Sequence, residues 1–358
     1  MKKFFSIALA FMLMGCLKEE PLKKEYTSFQ PPDIGDGWQV GSCKNNLVDS
    51  VALDNIYQLL YQDEDQWTVK SMLVFRNGEL LAESYLKDEI DRTRPQAVWS
   101  CTKQVMGLLS GILIDQNELY LTNILEQFLR TYTDRHKEKA GITIKQLLNM
   151  KSGIAYYNDE HTDFLREKRE SNSVEFILEL PMEHPPGSHF LYKDGDPQLL
   201  SAVMQEVTGL NTDVLAQRAL FSKIGMTNYA WYRYQDNVTL GAFGLMTTPR
   251  ELAKIGQLVL DSGAKDGNQL ISEAWIAEML TPRNKLAGAE NIYFGYYWWR
   301  NVQKNYSFMW GHGGQFVFLI PEKNAMVVFT GLEQVEGGPE LKVEEATSYV
   351  DRIAATMQ

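Results

Sequence analysis

Two hydrophobic rhythms alternate along this chain, and their order suggests an architecture. Residues 50–62 read as a first helix. Residues 69–75 and 80–86 are apolar runs of strand length, separated by Asn77-Gly78, the dipeptide best suited to a two-residue hairpin turn. Behind Ser100 the spacing becomes helical, with apolar side chains at Val105, Leu108, Leu109, Ile112 and Leu113. Further helices are expected at 143–150, 197–208, 214–224, 249–260 and 273–280. Strand-like runs return at 293–300, 306–310, 315–320 and 325–330, with Pro321 and Asn324 marking the last turn, before a closing helix at 341–357. Strands at both ends and helices between them predict an α+β fold. The terminal segments would meet in one antiparallel sheet flanked by helices, with a mostly helical central lobe packed against it.

The length of 358 residues suits one large domain or two closely packed ones. A formal net charge of -11 argues against a nucleic-acid partner, which would want a basic stripe. At the N-terminus, Lys2 and Lys3 precede an apolar run over 4–14, too short to span a bilayer. The run ends in Leu13-Met14-Gly15-Cys16, which resembles the lipobox of bacterial lipoproteins. That resemblance implies a signal peptide over 1–15, acyl chains on Cys16, and a membrane anchor on the periplasmic or outer-surface side of a bacterial envelope. Two or more chains, at about 0.8 kcal/mol per buried methylene, suffice for stable anchoring. A plain secretory signal with an incidental cysteine is the alternative. Lys/Glu pairs, Pro21, Pro31-Pro32 and glycines then suggest a tether over 16–48, leaving 49–358 as the folded domain. Cys43 and Cys101 are expected as free thiols, although an oxidising compartment permits their pairing. No Cys/His cluster has metal spacing, so neither a metal nor a cofactor is expected.

Three short stretches carry chemistry. In Ser100-Cys101-Thr102-Lys103 the serine and lysine share one helix face, so the amine can reach the hydroxyl. For lysine to act as a base its ammonium must be destabilised, and burial would do that. The structural alternative makes Ser100 an N-cap and Lys103 an exposed helix residue. Tyr192 lies in a loop before a second helix, where a phenol can relay protons or simply pack. His312-Gly313-Gly314-Gln315 opens a strand whose backbone can offer N–H and C=O groups to a substrate, or is a glycine-rich turn.

Taken in order, these stretches resemble the class C-like branch of the serine β-lactamase and penicillin-binding-protein superfamily, close to its esterases and 6-aminohexanoate-dimer hydrolases. Connecting phrases are similar too, among them 142–154, 244–254 and Tyr296-Tyr297-Trp298-Trp299. The resemblance implies that Ser100 is acylated, with Lys103 and Tyr192 handling protons. It implies an oxyanion hole made by the backbone N–H groups of Ser100 and Gln315. His312 would orient the site or bind a substrate carboxylate, Gly313 and Gly314 would admit the substrate, and Gly314 would let the acyl group lie against the strand.

One departure stands out. β-lactamases and many peptidases carry Tyr-x-Asn where this chain has Tyr192-Lys193-Asp194. A carboxylate only accepts hydrogen bonds, so Asp194 would repel an acidic substrate and could bind Lys193, Lys103 or a substrate N–H. The expected function is an envelope-anchored serine hydrolase cleaving an ester or amide of a small molecule or peptide. The rival readings are D-alanyl peptidase or peptidoglycan-trimming activity or weak β-lactamase activity, and a catalytically silent protein that binds wall fragments. The aromatic run 293–299, with Tyr156 and Tyr157, would wall an acyl pocket or form core.

Overall fold

The computed structural model describes residues 23–167, 170–332 and 340–358. The expected signal peptide and Cys16 lie outside the described residues, as does the tether from 16 to 22.

Among the described residues the main sheet has nine strands and joins both ends of the chain, as the hydrophobic rhythm predicts, with Gln39–Val40 at one edge, parallel to Glu79–Tyr85. Val69–Arg76 and Glu79–Tyr85 form the hairpin, turning on Asn77 and Gly78 with φ of 53° and 77°. Positive φ at both central residues gives the turn a twist that matches the strands. Val69–Arg76 also pairs antiparallel with Ala325–Gly331, followed in order by Gln315–Ile320, Tyr306–Gly311, Trp299–Asn301, Ile292–Phe294 and Asn284–Lys285. Both faces are covered. Phe329 stacks edge-on with Tyr349 of the closing helix Val343–Ala355. Met326, of opposite parity, lies near Gly256 of helix Pro249–Leu260. Burial on both faces explains why 316–320 and 325–329, in the middle of the sheet, are continuously apolar rather than alternating.

The helix Cys101–Asp115 is buried along its first 13 residues. Gly107 and Gly111 make this possible: a Cβ at Gly111 would sit 2.1 Å from the Trp275 ring, and the Trp275 indole N–H donates to the Gly107 carbonyl at 3.0 Å.

Three expectations are corrected. The stretch 23–48 is no tether, because Phe29 and Trp38 are buried. Phe29 packs on Tyr57, and the Trp38 indole donates to the Arg250 carbonyl at 2.9 Å. Arg250 in turn grips Glu83, Asp36 and the Pro32 carbonyl. The aromatic run 293–300 is not one strand. Gly295, where a Cβ would lie 2.3 Å from the Met279 carbonyl, and Tyr297, with φ of 65°, fold it into a hairpin. The expected helix 214–224 is Thr212–Ala216 running into a π-helical turn, Gln217–Phe221.

Because residues 23–48 pack against the fold, Phe29→Ala will cost about 3 kcal/mol of stability. Denaturant melts check this, and a free tether predicts no change.

Candidate active site

Ser100 is delivered by a short sheet that the hydrophobic pattern does not reveal. Gln96–Ala97 pairs with Leu245–Thr247, and the Val98 N–H donates to the Leu245 carbonyl at 3.1 Å. Trp99 then adopts a left-handed backbone, φ 49°, a strained conformation for a bulky residue. Its carbonyl accepts both the N–H and the hydroxyl of Thr102, at 2.9 and 2.7 Å. Helix Cys101–Asp115 follows with Ser100 at its N-cap position, yet the Ser100 side chain makes no capping bond. The hydroxyl is therefore not spent on the structural use open to a serine there.

Lys103, one turn on, is wholly buried. An ammonium has three hydrogens, and here three oxygens receive them: Ser100 Oγ at 2.7 Å, the Ala242 carbonyl at 2.9 Å and Asp194 Oδ1 at 2.7 Å. Burial works to lower Lys103, but the Asp194 carboxylate, helped by Tyr192, outweighs it and holds the amine above the ordinary lysine value. The expected lowering by burial is thus corrected, because the acid that replaces the usual amide keeps Lys103 charged. Burial also pushes the Tyr192 phenol up, against the Lys103 ammonium, whose nitrogen lies 5.1 Å from the centre of the Tyr192 ring. The Tyr192 ring packs on Trp299 and Phe294, with centroids 5.4 and 5.7 Å away.

Of the partners considered for Asp194, the structure selects Lys103. Its second oxygen accepts the Thr162 hydroxyl at 2.6 Å. Both carboxylate oxygens are therefore engaged within the protein. Lys193 turns the other way, into the interior.

The His312 turn joins strands Tyr306–Gly311 and Gln315–Ile320. Gly313 and Gly314 have φ of 77° and 79°. A Cβ on Gly313 would meet the Leu332 carbonyl at 2.4 Å, and one on Gly314 would meet Leu341 at 3.1 Å. These glycines answer to the turn and its packing. His312 is exposed, sits edge-on to Trp99, and has Nδ1 3.4 Å from Glu340 Oε2. A carboxylate neighbour makes it a poor receptor for a second carboxylate. Gln315 is buried and its side-chain amide brackets Gly331, while its carbonyl receives the Cys101 thiol at 3.6 Å. That contact ties the strand to the start of the Ser100 helix. Cys43 and Cys101 are both free and buried, and burial raises each thiol, which leaves them unreactive.

A cavity of about 490 Å³ opens over this cluster, bordered by Ser100, Tyr192, Asp194 and His312. Trp99, Phe243, Trp299 and Trp310 form an aromatic wall, and helix Asn158–Arg166 forms a polar one. Tyr156, Tyr296, Tyr297 and Trp298 are core instead, and Tyr157 bonds Glu183. A larger cavity, about 710 Å³, lies beside helix Pro249–Leu260 and contains none of the cluster. The structure thus gathers Ser100, Lys103, Tyr192, Asp194 and His312 at one opening. It adds Thr162, Ala242, Trp310 and Glu340, which carried no sequence signal. Ala242 acts through its backbone, and the other three come close only through the fold.

A serine, a buried lysine and a tyrosine arranged this way on an α+β fold define a serine hydrolase. The chain belongs to the beta-lactamase family, whose pattern it matches over residues 68–342. It is 23% identical over 295 residues to the 6-aminohexanoate-dimer hydrolase of Paenarthrobacter ureafaciens, covering 75% of this chain and 74% of that protein. A penicillin-binding-protein homologue from Caulobacter crescentus shares the fold with a TM-score of 0.70 and 16% identity, over 89% of this chain and 99% of that one. A D-alanine carboxypeptidase from Burkholderia cenocepacia does so with a TM-score of 0.64 and 14% identity, over 88% and 99%.

Asp194→Asn removes the largest of the influences that raise Lys103 and leaves only Tyr192 to oppose its burial. Lys103 will then lose its proton at lower pH than in the parent, as an NMR titration of the lysine Cε signals can show. An unchanged or higher midpoint would contradict this electrostatic account.

Proposed function

We propose that this protein is an envelope-anchored serine hydrolase that cleaves an ester or amide bond through an acyl-enzyme on Ser100. The observation carrying the reading is the 2.7 Å contact between Ser100 Oγ and the buried Lys103 Nζ at the edge of an open cavity.

The hydrogen-bond directions suggest how protons move. Lys103 donates to Ser100 Oγ, so the hydrogen of the hydroxyl turns toward Tyr192. As Oγ bonds to the acyl carbon, Tyr192 takes that proton and passes its own to the departing oxygen or nitrogen. A phenol raised by burial suits such a relay, which never requires a free phenolate. Lys103 stays charged and stabilises the negative charge passing between Oγ and the phenol oxygen. The backbone N–H groups of Ser100 and Gln315 would hold the carbonyl oxygen as it becomes an oxyanion. Deacylation runs the relay in reverse: water attacks the acyl carbon, gives its proton to Tyr192, and Tyr192 returns one to Ser100.

Charge at the opening favours uncharged acyl groups. Lys103 is paired with Asp194, Arg166 with Asp163 at 2.9 Å, and His312 faces Glu340. Among the described residues bordering the cavity, no basic group lacks an acidic partner, and Asp159 adds a further carboxylate. An acidic substrate such as a β-lactam finds little to receive its carboxylate, which disfavours the peptidase and β-lactamase alternatives. A silent binding protein would have no use for a strained Trp99 or an uncapped Ser100.

Ser100→Ala is expected to abolish labelling by a fluorophosphonate probe and to slow ester hydrolysis by about 10³-fold or more, with the melting temperature unchanged. Unaltered labelling would end the proposal, and nitrocefin turnover near that of true class C enzymes would refute the electrostatic preference. The anchor rests on the lipobox-like leader alone. Cells fed a fatty-acid analogue should label the parent protein and not Cys16→Ala, and equal labelling of both would refute lipidation.

A further inference from the structure

A second serine–lysine pair lies behind the first and takes no part in the chemistry above. Lys193 Nζ donates to Ser152 Oγ at 3.1 Å and to the Ile154 carbonyl at 2.7 Å, and stands 3.8 Å from Asp196 Oδ1. Asp196 accepts the Ser152 hydroxyl at 2.6 Å and the Ser152 backbone N–H at 3.2 Å. Lys193, Ser152 and Asp196 are essentially sealed from solvent. No substrate can reach them, so they form no second site.

Their position along the chain is what matters. Leu191 N–H donates to the Met150 carbonyl, Lys193 reaches Ser152 and Ile154, and Asp196 holds Ser152. One tight turn, 150–154, thus grips residues 191, 193 and 196. The residues between them, Tyr192 and Asp194, face the opposite way, toward Ser100 and Lys103. The turn is itself rigid: Met150 and Gly153 have φ of 57° and 82°, and a Cβ on Gly153 would lie 2.1 Å from the His184 carbonyl. The segment before helix Gly195–Thr208 has no regular structure of its own to fix its register. A slip by one residue would put Lys193 in the cavity and Tyr192 in the interior.

A buried ion pair is a weak source of stability, and well-packed neutral residues often replace one without loss. Its use here is better sought in specificity of register. Resting on the Ser100 hydrolase reading, we propose that the buried Ser152–Lys193–Asp196 cluster is a positioning device that sets Tyr192 and Asp194 against Ser100 and Lys103.

The test separates positioning from stability. Lys193→Met strands the Asp196 charge in the interior and will lower the melting temperature. Adding Asp196→Asn removes that charge and will restore the melting temperature. The double variant will nevertheless hydrolyse a neutral p-nitrophenyl ester with kcat reduced about tenfold or more and KM changed less than about threefold. The alkaline limb of its pH profile will also move, because Asp194 no longer sits squarely on Lys103. Restored stability with parental kcat and pH profile overturns the proposal. Should the double variant not accumulate as folded protein, Ser152→Ala, which deletes one hydroxyl, takes its place: a reduced kcat with a moved alkaline limb supports positioning, and parental values of both overturn it. The hydrolase reading fails separately, if the parent protein is not labelled at Ser100 by the fluorophosphonate.

Discussion

The site depends on one fully buried ammonium. Lys103 occupies the interior end of a helix turn where a bare charge would be prohibitive, and it is tolerated because three oxygens surround it. Each of those oxygens comes from a different part of the chain. Ser100 is on the same helix, Ala242 precedes a strand of the small sheet, and Asp194 closes the loop before the next long helix. Satisfying one lysine therefore fixes the relative placement of three segments. The glycine-softened helix Cys101–Asp115, the strained Trp99 and the short sheet can be understood as what is needed to bring the lysine and its acceptors to one point.

The main sheet supplies the other half of the arrangement. Its strand Gln315–Ile320 begins beside the Ser100 helix, held by Cys101 and by the amide of Gln315 on Gly331. A Cβ on Gly331 would lie 1.9 Å from the Gly313 carbonyl, so the backbone there is packed to contact. A turn so confined has little freedom to reorganise when charge develops nearby, which is the condition under which backbone N–H groups stabilise an oxyanion well. In the proposed reaction, rigidity of the 312–315 turn and immobility of Lys103 would serve the same end by different means.

Much of this was legible in the chain, and the exceptions share a cause. Asn77-Gly78, the helical spacing behind Ser100 and the strand-length runs near the C-terminus are local signals, and local structure follows them. Residues 23–48 misled because proline and glycine describe a chain without regular structure, and such a chain can still bury Phe29 and Trp38 against a sheet it does not fully join. The aromatic run misled because a strand pattern does not show that Gly295 and Tyr297 turn it back on itself. The small sheet escaped notice because its strands are two or three residues long. Ser100, Lys103 and Tyr192 were readable from motif order, whereas Thr162 and the Ala242 carbonyl were not. A contact across the fold leaves no periodicity.

The replacement of the usual amide by Asp194 changes the logic of the site more than its shape. With an amide in that place, burial would push the lysine toward the neutral amine, a base able to take the serine proton directly. With a carboxylate, the lysine stays protonated and the buried pair carries no net charge, so the resting site is close to electrically neutral. In the proposed reaction the proton of Ser100 would then leave by another route, through Tyr192. In exchange, the negative charge of the transition state would meet an ammonium already in position, with no proton transfer needed to create it. The same exchange makes a second carboxylate unwelcome. One substitution thus links how protons move in the proposed reaction to which acyl groups the cavity can accept.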